Sequence, residues 1–361
     1  MSAVPKRRSL PLHARVPLAA VAAAATLASG CTDTSGPSAP KISGLSVTLD
    51  NPRIPPASVT LAAPVFDLDV APDGSLLAAI ASAGVASIRG TATELIAPLP
   101  GVSGVASVGS GEAVAVTGGS LDPSQIFPTS RKLFRVSAGR VRELADLWAF
   151  EQEFNPDALW NQSAMAIESN PFDVAVLNGG HVLIADAAAN DILLVEANST
   201  IDWVAVLTPV STPGPQPVPT SVALGPDGAY YVGELTGFPG TPGLSRVWRI
   251  APASRRVVCP SAACTVVLSG FTSIMDLTFG PGGTLYVVEF DEAGWIGVEG
   301  NGFAKTAAGG TVNACNVATG SCSVRASGLS LPTAVAVDRY GALWIVEHTP
   351  ALFAGSRVRR L

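Results

Sequence analysis

Acidic side chains recur at two fixed offsets from a repeated turn, and of all residues in this chain they are the best suited to chemistry. Six turn glycines serve as origins: Gly74, Gly111, Gly180, Gly228, Gly283 and Gly341. Six residues after the turn glycine stand Asp186, Glu234, Glu289 and Glu347, in the third to sixth units. Seven residues before it stand Asp67, Gly104, Asp173, Ser221, Asp276 and Ala334. With a turn of even length these two positions pair across a hairpin, so Asp173 is expected to face Asp186, and Asp276 to face Glu289. Like charges directly opposite are unfavourable. A tolerated pair needs a cation, a shared proton or a set of backbone donors. Asp67, Asp173, Asp186, Glu234, Asp276 and Glu289 are therefore candidate ligands of a hard cation, calcium first, because every ligand is an oxygen. A structural reading stands beside it: acids at strand ends accept backbone N–H groups and stitch neighbouring segments together. Repetition in several units favours that reading, since a single site needs no repeat. A protonated acid pair doing hydrolysis is the third reading.

Other chemistry is sparse. Beyond the first 30 residues the chain has two histidines, His181 and His348. His181 lies beside a turn. Glu347 and His348 are adjacent and are the two catalytic candidates, His348 as a general base. Gly-Pro-Asp-Gly at 225–228 and Gly-Pro-Gly-Gly at 280–283 are turn glycines and not phosphate loops, because no helix follows. No Ser nucleophile elbow is present.

The elements that position these acids are hairpins. VPTSVALGPDGAYYVGE at 218–234 reads as strand, tight turn, strand, with Asp-Gly supplying the turn. The same pattern starts near 65, 102, 170, 271 and 331, and the turn glycines are 37, 69, 48, 55 and 58 residues apart. Two more strands follow each of the first five hairpins, and one follows the last. Periods of this size with strands inside mean a propeller. Thirty-six glycines, 29 prolines and only 14% charged residues suit short strands joined by turns. The expected fold is all-β: a six-bladed β-propeller over residues 65–361 with four-stranded blades. A strand from 42–64 joins the C-terminal blade and closes the ring, removing open edges.

In such a meander the long connections all leave one face. They run from 118 to 131, 148 to 170, 235 to 243 and 290 to 309. Long loops on a rigid scaffold are where binding usually resides. Trp148, Trp160, Phe238 and Trp295 are the expected ligand-face aromatics, unless they serve to plug the top of the ring. The innermost strands line the channel, so the acids should crowd near its mouth on this same face.

Residues 1–30 read as a signal peptide and not as fold: Lys6, Arg7 and Arg8, then an apolar run from Val16 to Ala28 too short for a permanent span. Leu27-Ala28-Ser29-Gly30-Cys31 resembles a bacterial lipobox, which would make Cys31 the lipidated N-terminus, with 31–41 a flexible tether. The expected location is the cell envelope, exported and membrane-anchored through lipid. The leader holds four of the 22 basic residues and no acid, which leaves 18 against 28 acids, net −10. That balance argues against nucleic acid. Cys259/Cys264 and Cys315/Cys322 each lie near a turn, and local disulfides in an oxidising compartment are the natural reading. Their spacings do not match a zinc ribbon.

The segments NPFDVAVLNGGHVLIADAAANDILLV, VPTSVALGPDGAYYVGELTGFPGTPGLSRVWRI and SIMDLTFGPGGTLYVVEF closely resemble the ScyD/ScyE family. So do Asn155-Pro156-Asp157 and Ser169-Asn170-Pro171. The resemblance spans about 60–350 and implies a six-bladed propeller of the NHL type. It carries over no reaction and no catalytic residues. More distant six-bladed relatives include calcium-dependent lactonases, a streptogramin lyase and quinoprotein sugar dehydrogenases; the Asn-rich metal shell of the first is not found here, and a quinone would want more His and Arg. Two readings of function follow. One is a monomeric, lipid-anchored binding or scaffold module with an unknown small-molecule or protein ligand on the long-loop face. The other is a metal-assisted hydrolase or lyase at the channel mouth.

Overall fold

A computed structural model describes residues 58–120, 126–161, 167–209, 211, 214–349 and 351–361. The expected signal peptide at 1–30, the expected lipidation site Cys31 and tether at 31–41, and residues 42–57 lie outside the described residues. Six antiparallel sheets form a β-propeller. The innermost strands are Val65–Val70, Val102–Gly109, Pro171–Val176, Pro219–Leu224, Ile274–Phe279 and Ala334–Val337. Each touches the next, and the last touches the first. Blades 1 to 5 each run outward in chain order. The sixth takes its outer strand from Ser58–Leu61, which pairs antiparallel with Ser356–Arg360, Ser58 opposite Arg359 and Leu61 opposite Ser356.

Local sequence explains the hairpins. Strand residues alternate between the two faces of a blade, and both faces are apolar because each is covered by a neighbouring blade. Leu183, Ile192, Val222, Val232 and Trp248, for example, fill the space between blades 3 and 4. Burying a side chain of this size contributes about 1.5–3 kcal/mol. The turn at Gly228 needs φ of +76°, which glycine adopts without a steric penalty.

Two features depart from the regular scheme. Blade 3 carries a fifth strand, Val257–Cys259, paired parallel to Ile201–Leu207. The innermost strands of blades 1 to 5 also contain a β-bulge near their start. The bulge shifts the register by one, so Asp173 pairs with Ala185 while Asp186 pairs with Pro171. Likewise Asp276 pairs with Val288 and Glu289 with Ile274. The expected facing pairs Asp173–Asp186 and Asp276–Glu289 are therefore not formed, because an even-turn count takes no account of a residue inserted within a strand.

The cysteines pair locally, Cys259 with Cys264 and Cys315 with Cys322. The second pair joins directly opposed residues of blade 5.

Candidate functional site

The acids of the innermost strands lie in the channel. An innermost strand has one edge without a β partner, facing the axis, and its N–H groups there need acceptors. Three aspartates supply them. Asp67 accepts the amides of Leu68 and Val105, Asp173 those of Val174 and Val222, and Asp276 those of Leu277 and Val335, all at 2.6–2.7 Å. The six amides occupy the same register position, one in each blade. Each carboxylate thus serves its own blade and the next, joining blades 1 to 2, 3 to 4 and 5 to 6.

The remaining joins use hydroxyls. Ser103 donates to the Pro171 carbonyl at 2.7 Å, Thr220 to Ile274 at 2.7 Å, and Thr333 to Val65 at 2.8 Å. These connect blades 2 to 3, 4 to 5 and 6 to 1. Odd blades therefore carry Asp where even blades carry Gly104, Ser221 and Ala334. Gly104 has a further reason to be small: a Cβ there would stand 2.8 Å from the Asp173 Cα and from the Phe172 carbonyl oxygen.

Above the carboxylates, toward the long-loop face, the channel is filled. Phe66 and Phe172 come from blades that are not neighbours, yet their rings are 6.4 Å apart, so they meet across the axis. Met275 joins them, and Phe290, Trp295, Phe303 and Leu352 from the overlying loops continue the same buried cluster. The open space lies below. A cavity of about 270 Å³ is lined by Asp67, Asp69, Asp173, Asp276, Ser107 and Thr278, among apolar residues further along the innermost strands. It runs toward the short hairpin turns, so the expected crowding of acids at the long-loop mouth is corrected: the channel acids stand beneath an apolar layer.

Burial dominates the titration of these groups. It raises Asp67 and Asp276 well above the ordinary carboxylate range, with the charges of the other channel aspartates adding to it. Asp173 is raised to about 7, again by burial first, with its two amide partners pulling the other way.

The acids six residues after the turn glycine do not enter the channel. Asp186 accepts from the Ser169 hydroxyl and the Asn170 amide, both at 2.6 Å. Glu234 binds Arg246 and the Trp248 indole N–H. Glu289 accepts from the Thr272 amide, the Thr311 hydroxyl and the Asn313 side-chain amide. Glu347 accepts from the Ser330 amide and pairs with Arg359. The six metal candidates are thus split among four places, and among the described residues no group of three His, Cys, Asp or Glu is arranged to hold a metal.

Glu347 and His348 are successive strand residues and point to opposite faces. His348 is fully buried, its Nδ1 3.0 Å from the Leu331 carbonyl oxygen and its ring 6.2 Å from Phe66. Burial lowers it to about 4. It packs the channel plug and is poorly placed as a solvent-facing base. Trp295 is buried, with its indole N–H donated to the Thr236 carbonyl. Trp148 lies against the Arg131 guanidinium, 4.4 Å from its centre. Trp160 and Phe238 are exposed, at 40% and 53%. Counting from turn glycines did not find Asp291, which orders the 290–309 loop by accepting amides from Ala293, Ala307, Ala308 and Gly309. It sits two residues beyond the counted position.

No family model and no curated protein matches the chain. Solved structures do. A Bacteroides thetaiotaomicron protein of unknown function is 12% identical with a TM-score of 0.53, covering 84% of this chain and 72% of that one. A gluconolactonase from Xanthomonas campestris is 12% identical with a TM-score of 0.54, covering 84% and 90%. A Thermus thermophilus protein described as a putative oxidoreductase (glucose dehydrogenase) is 14% identical with a TM-score of 0.52, covering 83% and 97%. At these identities the likeness shows the propeller fold alone.

The channel titration bears on stability. Asp173 titrates near 7 in the folded chain, above its ordinary 3.8. A group raised in this way contributes stability that is full below its unfolded value and is lost as pH rises through the folded one. Urea unfolding should show stability falling from about pH 4 to about pH 7 and levelling above that, and Asp173→Asn should flatten that fall. At low pH the same variant should cost about 1–3 kcal/mol, because an amide donor then faces a backbone donor. Equal pH slopes in both proteins would contradict this assignment.

Proposed function

We propose that this protein is a binding module whose partner docks on the long-loop face. The observation that carries the reading is the contrast on that face. The channel mouth is filled with apolar side chains, while the loops above it expose large apolar ones. Phe154, Leu159, Trp160 and Ile167 stand on the single connection between blades 2 and 3, and Phe127 and Phe238 stand on two further loops of the same face. Leu159 is 78% exposed. Exposed apolar groups clustered on loops of a rigid scaffold mark interaction surfaces. The quoted segments that resemble the ScyD/ScyE family support membership in it as part of this reading.

The alternative is a hydrolase or lyase of the lactonase kind. It draws support from the shared fold with the Xanthomonas gluconolactonase. Against it stand the channel carboxylates, whose oxygens already accept backbone amides, and the apolar layer over them. A photoreactive residue at Leu159 should trap one defined partner on cells of the native host, whereas the same probe at Val324, exposed on an outer strand of blade 5, should not. Equal trapping at both positions would overturn the docking face. Lactone turnover by the purified protein that is lost in Glu289→Gln would favour the enzyme.

We also propose that the module is exported and held at the envelope membrane by lipid on Cys31, on the strength of the small residues before that cysteine and the short apolar run preceding them. Cys31→Ser should move the protein from the membrane fraction to the soluble fraction, and retention in the membrane fraction would refute the anchor.

A further inference from the structure

A second group of acids lies away from the channel, under the connection between blades 2 and 3. Its base is the one directly opposed acid pair in blade 3, Asp186 with Asp191. Asp186 is fully engaged by Ser169 and the amides around it. Asp191 is completely buried, and neither of its carboxylate oxygens has a hydrogen-bond partner.

Helix α1 (Leu147–Phe154), which starts on an Asp146 cap, carries Glu151, and the charges of Asp186 and Asp191 are within its electrostatic reach. Glu151 is 2% exposed, and neither of its oxygens makes a well-formed hydrogen bond, the Glu168 amide being the one weak donor near it. Asp157 follows. Its Oδ2 accepts from Asn161 and Asn190, at 3.1 and 2.8 Å, and its Oδ1 is open. Asn155 and Glu168 each add one buried side-chain oxygen without a partner. Burial raises Glu151 to about 9, Glu168 to about 7 and Asp157 to about 6, and Asp191 well above its ordinary value.

The nearest cation, Arg131, offsets the charge of Glu168 and Asp186 in part but gives its hydrogen bonds to backbone carbonyls. Arg131 directs Nε to the Ser169 carbonyl and Nη2 to the Ser120 carbonyl. A buried carboxylate without a partner is costly, and a pair of them facing each other more so.

We propose that these side chains form a site for a hard divalent cation, calcium in preference to magnesium, that fastens the 147–170 connection onto blade 3. Every open acceptor is an oxygen, from Glu151, Asn155, Asp157, Glu168 and Asp191. Calcium takes six to eight oxygens with loose geometry, whereas magnesium demands a tight octahedron and keeps its waters. As the side chains stand, no three acids gather round one point. Occupancy draws Glu151 and Asp191 toward a shared centre; Asp191 has no hydrogen bond to break, and Glu151 gives up only a weak contact with the Glu168 amide. The site is independent of whether the face above it binds a partner, and it is separate from the channel aspartates, whose oxygens are occupied by amides.

The test is a thermal melt of the full chain freed of divalent ions with EDTA, repeated with calcium chloride and with magnesium chloride. At a hundredfold excess over Kd the expected rise in Tm with calcium is about 5 °C, and smaller with magnesium. Asp191→Asn and Glu151→Gln should abolish the rise. Both remove like-charge repulsion, so in EDTA they should melt no lower than the parent. Terbium should give emission on tryptophan excitation, through Trp148 and Trp160 on the same connection, and calcium should displace it. No rise with calcium would overturn the proposal. So would an undiminished rise in both variants, or a rise lost instead in Asp276→Asn, which would place the ion in the channel. A rise with magnesium as large as that with calcium would overturn the choice of ion.

Discussion

Six backbone amides that face the channel axis, one from each blade, are the constraint on which the ring is built. A propeller leaves the inner edge of every blade unpaired, and those donors are buried. Three aspartates satisfy all six, because each carboxylate has two oxygens and reaches one amide of its own blade and one of the next. This arithmetic makes the blades alternate. An aspartate in every blade would double the buried charge with no further donors at that register to bind, so the even blades carry small residues there and use Ser103, Thr220 and Thr333 to reach the following carbonyl. The molecule has six blades but an approximate threefold pattern at its axis.

That arrangement places limits on function. Carboxylates that hold the ring together are poorly free to ligate a metal or handle a substrate. The bulges that set them also turn Phe66 and Phe172 into the axis, where they pack against each other across it, with Met275 in the same layer. Chemistry at the mouth is thereby displaced by packing, and the exposed groups with a capacity to recognise something lie on the loops. The unsatisfied carboxylates lie there too, under the connection that bears Leu159 and Trp160.

The propeller was legible in the sequence because a hairpin writes a strong local signal: alternating apolar residues on both sides of a glycine turn. The local cysteine pairs were legible for the same reason. The positions of Asp67, Asp173 and Asp276 were also visible, as was the structural role that repetition favours. Their partners were not, because a bulge inserts a residue inside a strand and leaves no mark at the turn from which positions are counted. A signal was nevertheless available. Reading the two residues before the −6 position as Phe-Asp, Ser-Gly, Phe-Asp, Thr-Ser, Met-Asp and Thr-Ala shows the alternation directly. The Glu151, Asp157 and Asp191 group had no such signal, since its members come from a helix, a loop and a strand start, and only folding brings them together.

The most direct measurement is native-state amide hydrogen exchange at Val105, Val222 and Val335, the amides received from the following blade. An amide held by a buried carboxylate within the ring opens only with the ring itself. If three aspartates hold the ring, all three amides exchange as slowly as the most protected strand amides, and Asp67→Ala accelerates Val105 far more than Val222 or Val335. Fast exchange at these amides in the parent protein, or protection that appears only when calcium is added, would contradict that role.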